Sequence, residues 1–164
     1  MNDSRILYSE VQRFGRPLLW AVIVPISALG VAGAAVAAWQ APRTGEAVAA
    51  LAAGLLLALL LPVLLVVVRM TTEVRSDGVL IRYSPFTRRR IGFGDIRALE
   101  ARTYRPLQEY GGWGVRWWFG GKRAYSVSGN RGVELTLADG RKVMIGSTRP
   151  EDLEAAIRRG MGPR

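Results

Sequence analysis

Two stretches free of charged residues, Pro17 to Trp39 and Ala47 to Val68, dominate the hydropathy pattern of the first half of the chain. Each is longer than the roughly 20 residues that a helix rising about 1.5 Å per residue needs to cross a hydrocarbon core of about 30 Å. One charge at mid-bilayer costs about 2.5–3.5 kcal/mol on insertion scales. The pattern therefore predicts a two-span transmembrane hairpin over residues 17–69. Ahead of it, Ile6, Leu7, Val11 and Phe14 fall at helical spacing. They predict an interfacial helix or a frayed tail within residues 1–16.

From Thr71 the apolar period changes to two. Val79, Ile81 and Tyr83 alternate with Leu80 and Arg82, and Val133, Leu135 and Leu137 with Glu134 and Thr136. Period two is the signature of half-buried strands. About seven are predicted, near Thr71–Arg75, Val79–Tyr83, Arg88–Gly92, Ile96–Tyr104, Arg123–Ser128, Gly132–Ala138 and Lys142–Gly146. Ser76-Asp77-Gly78, Ser84-Pro85 and Ala138-Asp139-Gly140 supply turns. A C-terminal helix follows: Pro150 suits its first turn, Glu151 and Asp152 its positive end, Arg158 and Arg159 its negative end, and Gly160 its stop. Leu153, Ala156 and Ile157 form its apolar stripe. The predicted fold class is a membrane α-helical hairpin plus a mainly-β small barrel over residues 70–164, closed by the C-terminal helix.

Charge gives the hairpin a direction. The chain of 164 residues carries a net charge of +10, and residues 69–164 hold 19 Lys and Arg against 10 Asp and Glu. Arg5, Arg13 and Arg16 precede the spans, Arg43 alone lies between them, and Arg69, Arg75, Arg82 and Arg88-Arg89-Arg90 follow. The positive-inside rule puts both ends in the cytoplasm, with the protein multi-pass in the cell (inner) membrane. Trp20 and Trp39 suit headgroup level at the two ends of the first span. A signal peptide, suggested by Arg13, Arg16 and Ala35-Val36-Ala37, would have an apolar region of only about 7–15 residues, shorter than the span here. Gly30, Ala34 and Ala38 on one span and Ala50, Gly54 and Ala58 on the other are spaced for close helix packing. Pro25 and Pro62 each remove a helix hydrogen bond.

The chain has no Cys and no His. Thiolate metal sites, disulfides and the commonest general base near neutral pH are thereby excluded. Carboxylates fall in turns, at the helix start, or scattered at Asp95, Glu100, Glu109 and Glu134, without a spacing for a shared proton or a metal. No cofactor is expected and the protein is read as non-enzymatic. A P-loop ending at Lys122 would need Gly at Arg116 and Ser or Thr at Arg123, so that motif is absent.

Tyr104-Arg105-Pro106-Leu107, Glu109-Tyr110-Gly111-Gly112-Trp113-Gly114, Tyr125-Ser126-Val127-Ser128-Gly129-Asn130-Arg131-Gly132-Val133, Asp139-Gly140 and Ile145-Gly146-Ser147 follow one another in order. In these pieces, spread over most of Arg69 to Gly160, and in its hairpin, the chain resembles the bacterial pleckstrin-homology-like domains of small two-span membrane proteins. The resemblance implies a pleckstrin-homology-like barrel and no particular activity.

Gly111 to Lys122 packs Trp113, Trp117, Trp118 and Phe119 among Arg116, Gly120, Gly121 and Lys122. It reads as a loop or hairpin tip that sinks aromatics to headgroup depth while cations meet phosphates, or as core rings set between tight glycine turns. Trp113 fits the core reading better than the Trp117–Phe119 cluster, whose three consecutive rings cannot all point inward. Arg82, Arg88, Arg89 and Arg90, with Arg116, Lys122 and Arg123, are candidate contacts to lipid or partner, against the alternative of a strand edge blunted by charge. Arg131 is expected to fix its own loop. The expected function is that of a membrane-anchored regulatory or scaffolding protein touching anionic headgroups or a protein partner, itself or another membrane protein. The alternative is a structural subunit of an oligomeric assembly that uses the barrel only for docking. No nucleic-acid partner is expected.

Overall fold

A computed structural model describes residues 5–13, 16–40 and 45–162. The Asn2-Asp3-Ser4 segment, Phe14 and Arg43 lie outside the described residues, as do the side chains of Ala38, Ala50, Pro62 and Phe119. The chain forms two compact units, residues 14–68, and residues 1–13 with 69–164.

The smaller unit is a pair of helices, α1 (Arg16–Gln40) and α2 (Gly45–Val67). Rising numbers in α1 meet falling numbers in α2, so the pair is antiparallel. A Cβ on Gly30 would touch that of Ala58 at 3.4 Å, and one on Gly54 would touch that of Ala34 at 3.7 Å. Ser27 Oγ donates to the Ala58 carbonyl at 3.4 Å. The small residues are thus spent within the pair, where they let two backbones approach. Among the described residues one helix, α1, is long and apolar enough to cross a membrane, through Trp20–Ala37 with mean hydropathy 2.0. Trp20 and Trp39 are both exposed.

Among the described residues the larger unit holds nine strands: β1 (Ile6–Arg13), β2 (Arg69–Arg75), β3 (Gly78–Ser84), β4 (Thr87–Gly92), β5 (Ile96–Thr103), β6 (Gly114–Trp118), β7 (Lys122–Ser126), β8 (Arg131–Leu137) and β9 (Lys142–Gly146). They form two sheets, in the orders β1-β2-β3-β4 and β5-β8-β9-β7-β6, antiparallel except for β7 with β9. The expectation of one closed barrel of about seven strands is corrected here. Among the described residues no pairing joins the sheets, and a 3-10 turn at Phe93–Asp95 interrupts the chain between β4 and β5.

Residues 6–13 are also corrected, from helix or tail to strand. β1 lies antiparallel on β2, with Arg13 opposite Arg69 and Val11 opposite Thr71. The two strands are neighbours in the sheet, although the whole helical pair separates them in sequence. β1 turns Tyr8, Glu10 and Gln12 inward and leaves Leu7 and Val11 exposed. Its polar residues are held by specific bonds. Gln12 Nε2 donates to the Gly146 carbonyl at 2.8 Å. The Glu10 carboxylate accepts from the hydroxyls of Tyr8 (2.9 Å), Ser147 (2.6 Å) and Thr148 (2.6 Å), and from the Thr148 amide (2.8 Å). One carboxylate on the first sheet thereby fastens the loop after β9 of the second.

The core between the sheets is aliphatic: Met70, Val74, Val79 and Ile81 from one, Val133, Leu135, Val143 and Ile145 from the other, all fully buried. Each such side chain contributes about 1.5–3 kcal/mol by leaving water. Helix α4 (Pro150–Met161) packs against strands of both sheets through Leu153, Ala156 and Ile157. It runs past Gly160 because glycine there serves close approach: a Cβ would collide with the Phe93 ring. A short helix, α3 (Pro106–Tyr110), covers the other face of the second sheet with a smaller core of Tyr104, Tyr110, Ala124 and Met144.

Gly132 faces Gly146 across β8 and β9. A Cβ on Gly132 would overlap the Ile145 carbonyl oxygen and lie 3.0 Å from Gly146 Cα, both backbone atoms that cannot turn aside. Gly132→Ala is expected to lower stability by about 1–3 kcal/mol, read as an earlier midpoint in urea denaturation of the detergent-solubilised chain.

Candidate interface for an anionic surface

Strand register sorts the arginines onto faces. In an antiparallel sheet directly opposed residues share a face. Arg13 faces Arg69 across β1 and β2, Thr71 faces Arg82, and Arg82 faces Arg88 across β3 and β4. Glu73 and Arg90 flank Leu80 from either side. The outer face of the first sheet therefore carries Arg13, Arg69, Arg75, Arg82, Arg88 and Arg90 against one carboxylate in the strands, Glu73. Met70, Thr72, Val74 and their partners occupy the inner face.

Like charges directly opposed cost about 0.2–1 kcal/mol each. Part of that cost is offset locally. Glu73 accepts from Arg75 Nε at 2.8 Å and from Arg82 at 2.9 and 3.0 Å, and Arg90 is paired with Asp77. Arg13, Arg69 and Arg88, all exposed, meet no carboxylate among the described residues. The consecutive run Arg88-Arg89-Arg90 is split by strand alternation. Arg89 falls on the opposite side, where with Asp95, Asp139 and Arg141 it lines a cavity of about 220 Å³. Arg141 holds the Asp139 carboxyl below its usual range by a direct hydrogen bond, and Arg89 adds to this from further off.

The second cationic patch is the hairpin of β6 and β7. Gly120 and Gly121 supply the left-handed conformations that its tip requires, with φ 74° and 75°. Trp117 lies opposite Arg123, and Trp118 opposite Lys122. Trp117 is 70% exposed and Trp118 40%, because β6 is an edge strand that extends past the core. Neither ring is a core residue. Arg116 is exposed and its Nε donates to the Trp113 carbonyl at 3.0 Å.

Gly114 brings β6 near Tyr83 at the turn end of the first sheet's inner face. Its absent Cβ would lie 4.0 Å from Tyr83 Oη of the first sheet and 3.9 Å from Arg116 Nε. Tyr83 in turn lies 6.5 Å, ring to ring, from Phe86 on the β3–β4 turn. Burial pushes the Tyr83 hydroxyl above its usual range, with Arg116 opposing. Phe86, 59% exposed, and the pair Arg13 and Arg69 belong to this surface and are absent from the sequence-derived candidates. The Ser84-Pro85 turn marked the place, but only the register shows that β1 ends beside it.

The segments carrying the family resemblance also meet. Trp113 is half-buried rather than core, and its indole N–H donates to the Gly129 carbonyl at 2.8 Å. The Tyr104 amide donates to the Asn130 carbonyl at 2.8 Å and the Ser147 amide to that of Arg131 at 3.0 Å. Arg131 pairs with Glu151 of α4. Beneath α3, Arg102 bridges Glu109 (2.8 Å) and Glu134 (2.6 Å), and Lys142 completes the group on Glu134 at 2.7 Å. Burial alone would raise the Glu134 carboxyl, but Lys142 and Arg102 overcome it and hold it below the usual range. Both charge signs are matched in this group, which fixes α3 and leaves no cation to spare. Comparison with known proteins finds no matching family model and no curated protein of similar sequence.

Proposed function

We propose that the chain is a non-catalytic, membrane-anchored regulatory or scaffolding protein whose β unit contacts anionic headgroups at the inner membrane face. In this reading α1 and α2 are the two spans of a hairpin, and the β unit is a pleckstrin-homology-like domain. The uncharged length of both helices supports the first assignment. The second is supported by a C-terminal helix packed on both sheets and by the bonds that join the Gly-Gly-Trp-Gly and Ser-Gly-Asn-Arg-Gly segments.

The observation that carries the lipid reading is the surplus of Arg13, Arg69 and Arg88 on one sheet face. Opposed cations reduce stability unless something anionic lies against them. For a domain on an inner leaflet the nearest such surface is the lipid itself, at about 1 kcal/mol per basic side chain near it. A domain built only to dock a protein would not need this surplus beside its membrane connections.

Hydrogen exchange of the full chain in nanodiscs tests this. β4 is an edge strand with outward amides free of ladder partners. Its exchange is expected to slow in phosphatidylglycerol-containing discs relative to phosphatidylcholine discs, and the difference to vanish in high salt. Equal exchange in both lipids at low salt would contradict the lipid reading and favour protein docking.

A further inference from the structure

The unbalanced arginines are not spread over the sheet face but collect at one end of it. Arg13 is the last residue of β1, Arg69 the first of β2, and Arg88 stands at the start of β4, one residue past the pair Tyr83 and Thr87 that closes the β3–β4 turn. Arg69 faces Ser84, the residue before that turn. At the turn itself stands Phe86, which rests partly on Tyr83 but leaves more than half its surface in solvent. The same end is where the chain departs toward α1 and returns after α2, with only Val68 between α2 and β2.

An exposed aromatic on a tight turn, at the sheet end where three cations meet no carboxylate among the described residues, matches the chemistry of the headgroup layer: an apolar ring fits the acyl boundary while guanidinium groups meet phosphates. Duplex nucleic acid would use the cations but leave the ring without a role, and a single strand, which could stack a base on it, gives no reason for the site to stand where the chain leaves for apolar helices. An acidic peptide would use the same cations but gives no reason for them to stand where the chain leaves for two apolar helices. The connection of Arg13 and Arg69 to apolar helices singles out the bilayer. Resting on the lipid-contact reading above, we propose that the β3–β4 turn is the element that enters the membrane surface, with Phe86 dipping to the acyl boundary of an anionic leaflet and Arg13, Arg69 and Arg88 holding its phosphates. The β6–β7 hairpin is then a flanking contact.

The absence of Cys makes the test clean, because any introduced thiol is unique. Full-length Phe86→Cys, Ser76→Cys and Trp117→Cys proteins would be spin-labelled in nanodiscs of phosphatidylcholine with phosphatidylglycerol, after circular dichroism shows an unchanged fold. Ser76 is exposed on the β2–β3 turn at the other end of the sheet. Relaxation by oxygen against relaxation by a nickel chelate reports depth. The expected result is a label at Phe86 several-fold better relaxed by oxygen than by nickel, with the reverse at Ser76. If the label at Phe86 is as open to nickel as that at Ser76 while β4 exchange still responds to anionic lipid, the insertion is overturned and the lipid contact stands. Should neither respond, both fall. A deep label at Trp117 with an aqueous one at Phe86 would assign the insertion to the β6–β7 hairpin and overturn the proposal.

Discussion

A chain in which residues 14–68 are replaced by Asn-Gly is expected to fold as a water-soluble β unit, whereas the fragment beginning at Thr71 is expected not to fold. Both outcomes follow from one pairing, that of Arg13 with Arg69. Since β1 and β2 are antiparallel neighbours whose open ends face each other, a two-residue turn of the kind that closes hairpins can join them directly. The fragment from Thr71 loses β1 altogether and the first residues of β2. That uncovers the edge of β2, removes Met70 from the core and opens the inner face over Thr72, both fully buried in the whole chain, and strips the Ser147–Thr148 loop of its anchoring carboxylate. Far-ultraviolet circular dichroism with a cooperative melt decides the matter. A folded Thr71 fragment, or an aggregated hairpin-deleted chain, would refute the role given to β1.

Glu10→Ala is expected to cost about 3 kcal/mol, near the upper end for single substitutions, since it leaves the buried Ser147 hydroxyl and the partly buried donors of Tyr8 and Thr148 without their acceptor. Burial by itself would raise the Glu10 carboxyl. The hydroxyls of Ser147 and Thr148, the Thr148 amide and the Tyr8 hydroxyl more than overcome it, and the group is held below its ordinary value of 4.5. The native state therefore binds this proton only at lower pH than the unfolded chain does. Its stabilisation is complete above pH 4.5 and is lost as the pH falls through the native value. Glu134 and Glu154, whose carboxyls are also lowered, add to the same acid loss. Urea midpoints of parent and Glu10→Gln chains should differ clearly near neutral pH and converge in acid. A difference that persists in acid would show that the carboxylate's charge is not what the network uses.

These two regions also mark where the sequence was hardest to read. Strands β3 and β8 announce themselves by alternation, because their inward residues are apolar, and β9 by a short apolar run after a turn signal. β1 does the opposite: its inward residues are Tyr8, Glu10 and Gln12, while Leu7 and Val11 face out, so hydropathy reads the wrong face and, with Ile6 and Phe14, simulates helical spacing. Its partner β2 also lies beyond two long helices, and no local signal reports a pairing across that gap. β6 was hidden for another reason. Gly-Val-Arg-Trp-Trp on an edge has little inward side, so its aromatics read as a loop or hairpin tip, and the strand itself, which forms a ladder with β7, was not among those expected.

The candidate interface was half legible for a similar reason. Arg88-Arg89-Arg90 stood out as a run, but a run says nothing of faces. Alternation divides it, putting Arg88 and Arg90 on the outer face and Arg89 on the other, with Arg89 and Arg90 both bordering the cavity beside Asp139. Arg82 is largely spent on Glu73, nine residues earlier in sequence. Of the unbalanced members Arg88 was a candidate from the sequence, whereas Arg13 and Arg69 were offered only as charges that orient a hairpin. Arg13 and Arg69 serve both descriptions: they flank the helical pair in sequence and meet no carboxylate among the described residues.

The account as a whole requires that this surface lie on the cytoplasmic side of a membrane. Single-thiol labelling measures that directly, with the full-length Ser76→Cys chain and a membrane-impermeant maleimide applied to intact cells and to cells opened by detergent. The account predicts labelling only after opening. A thiol modified to completion in intact cells, or a chain recovered from the soluble fraction without detergent, would contradict it.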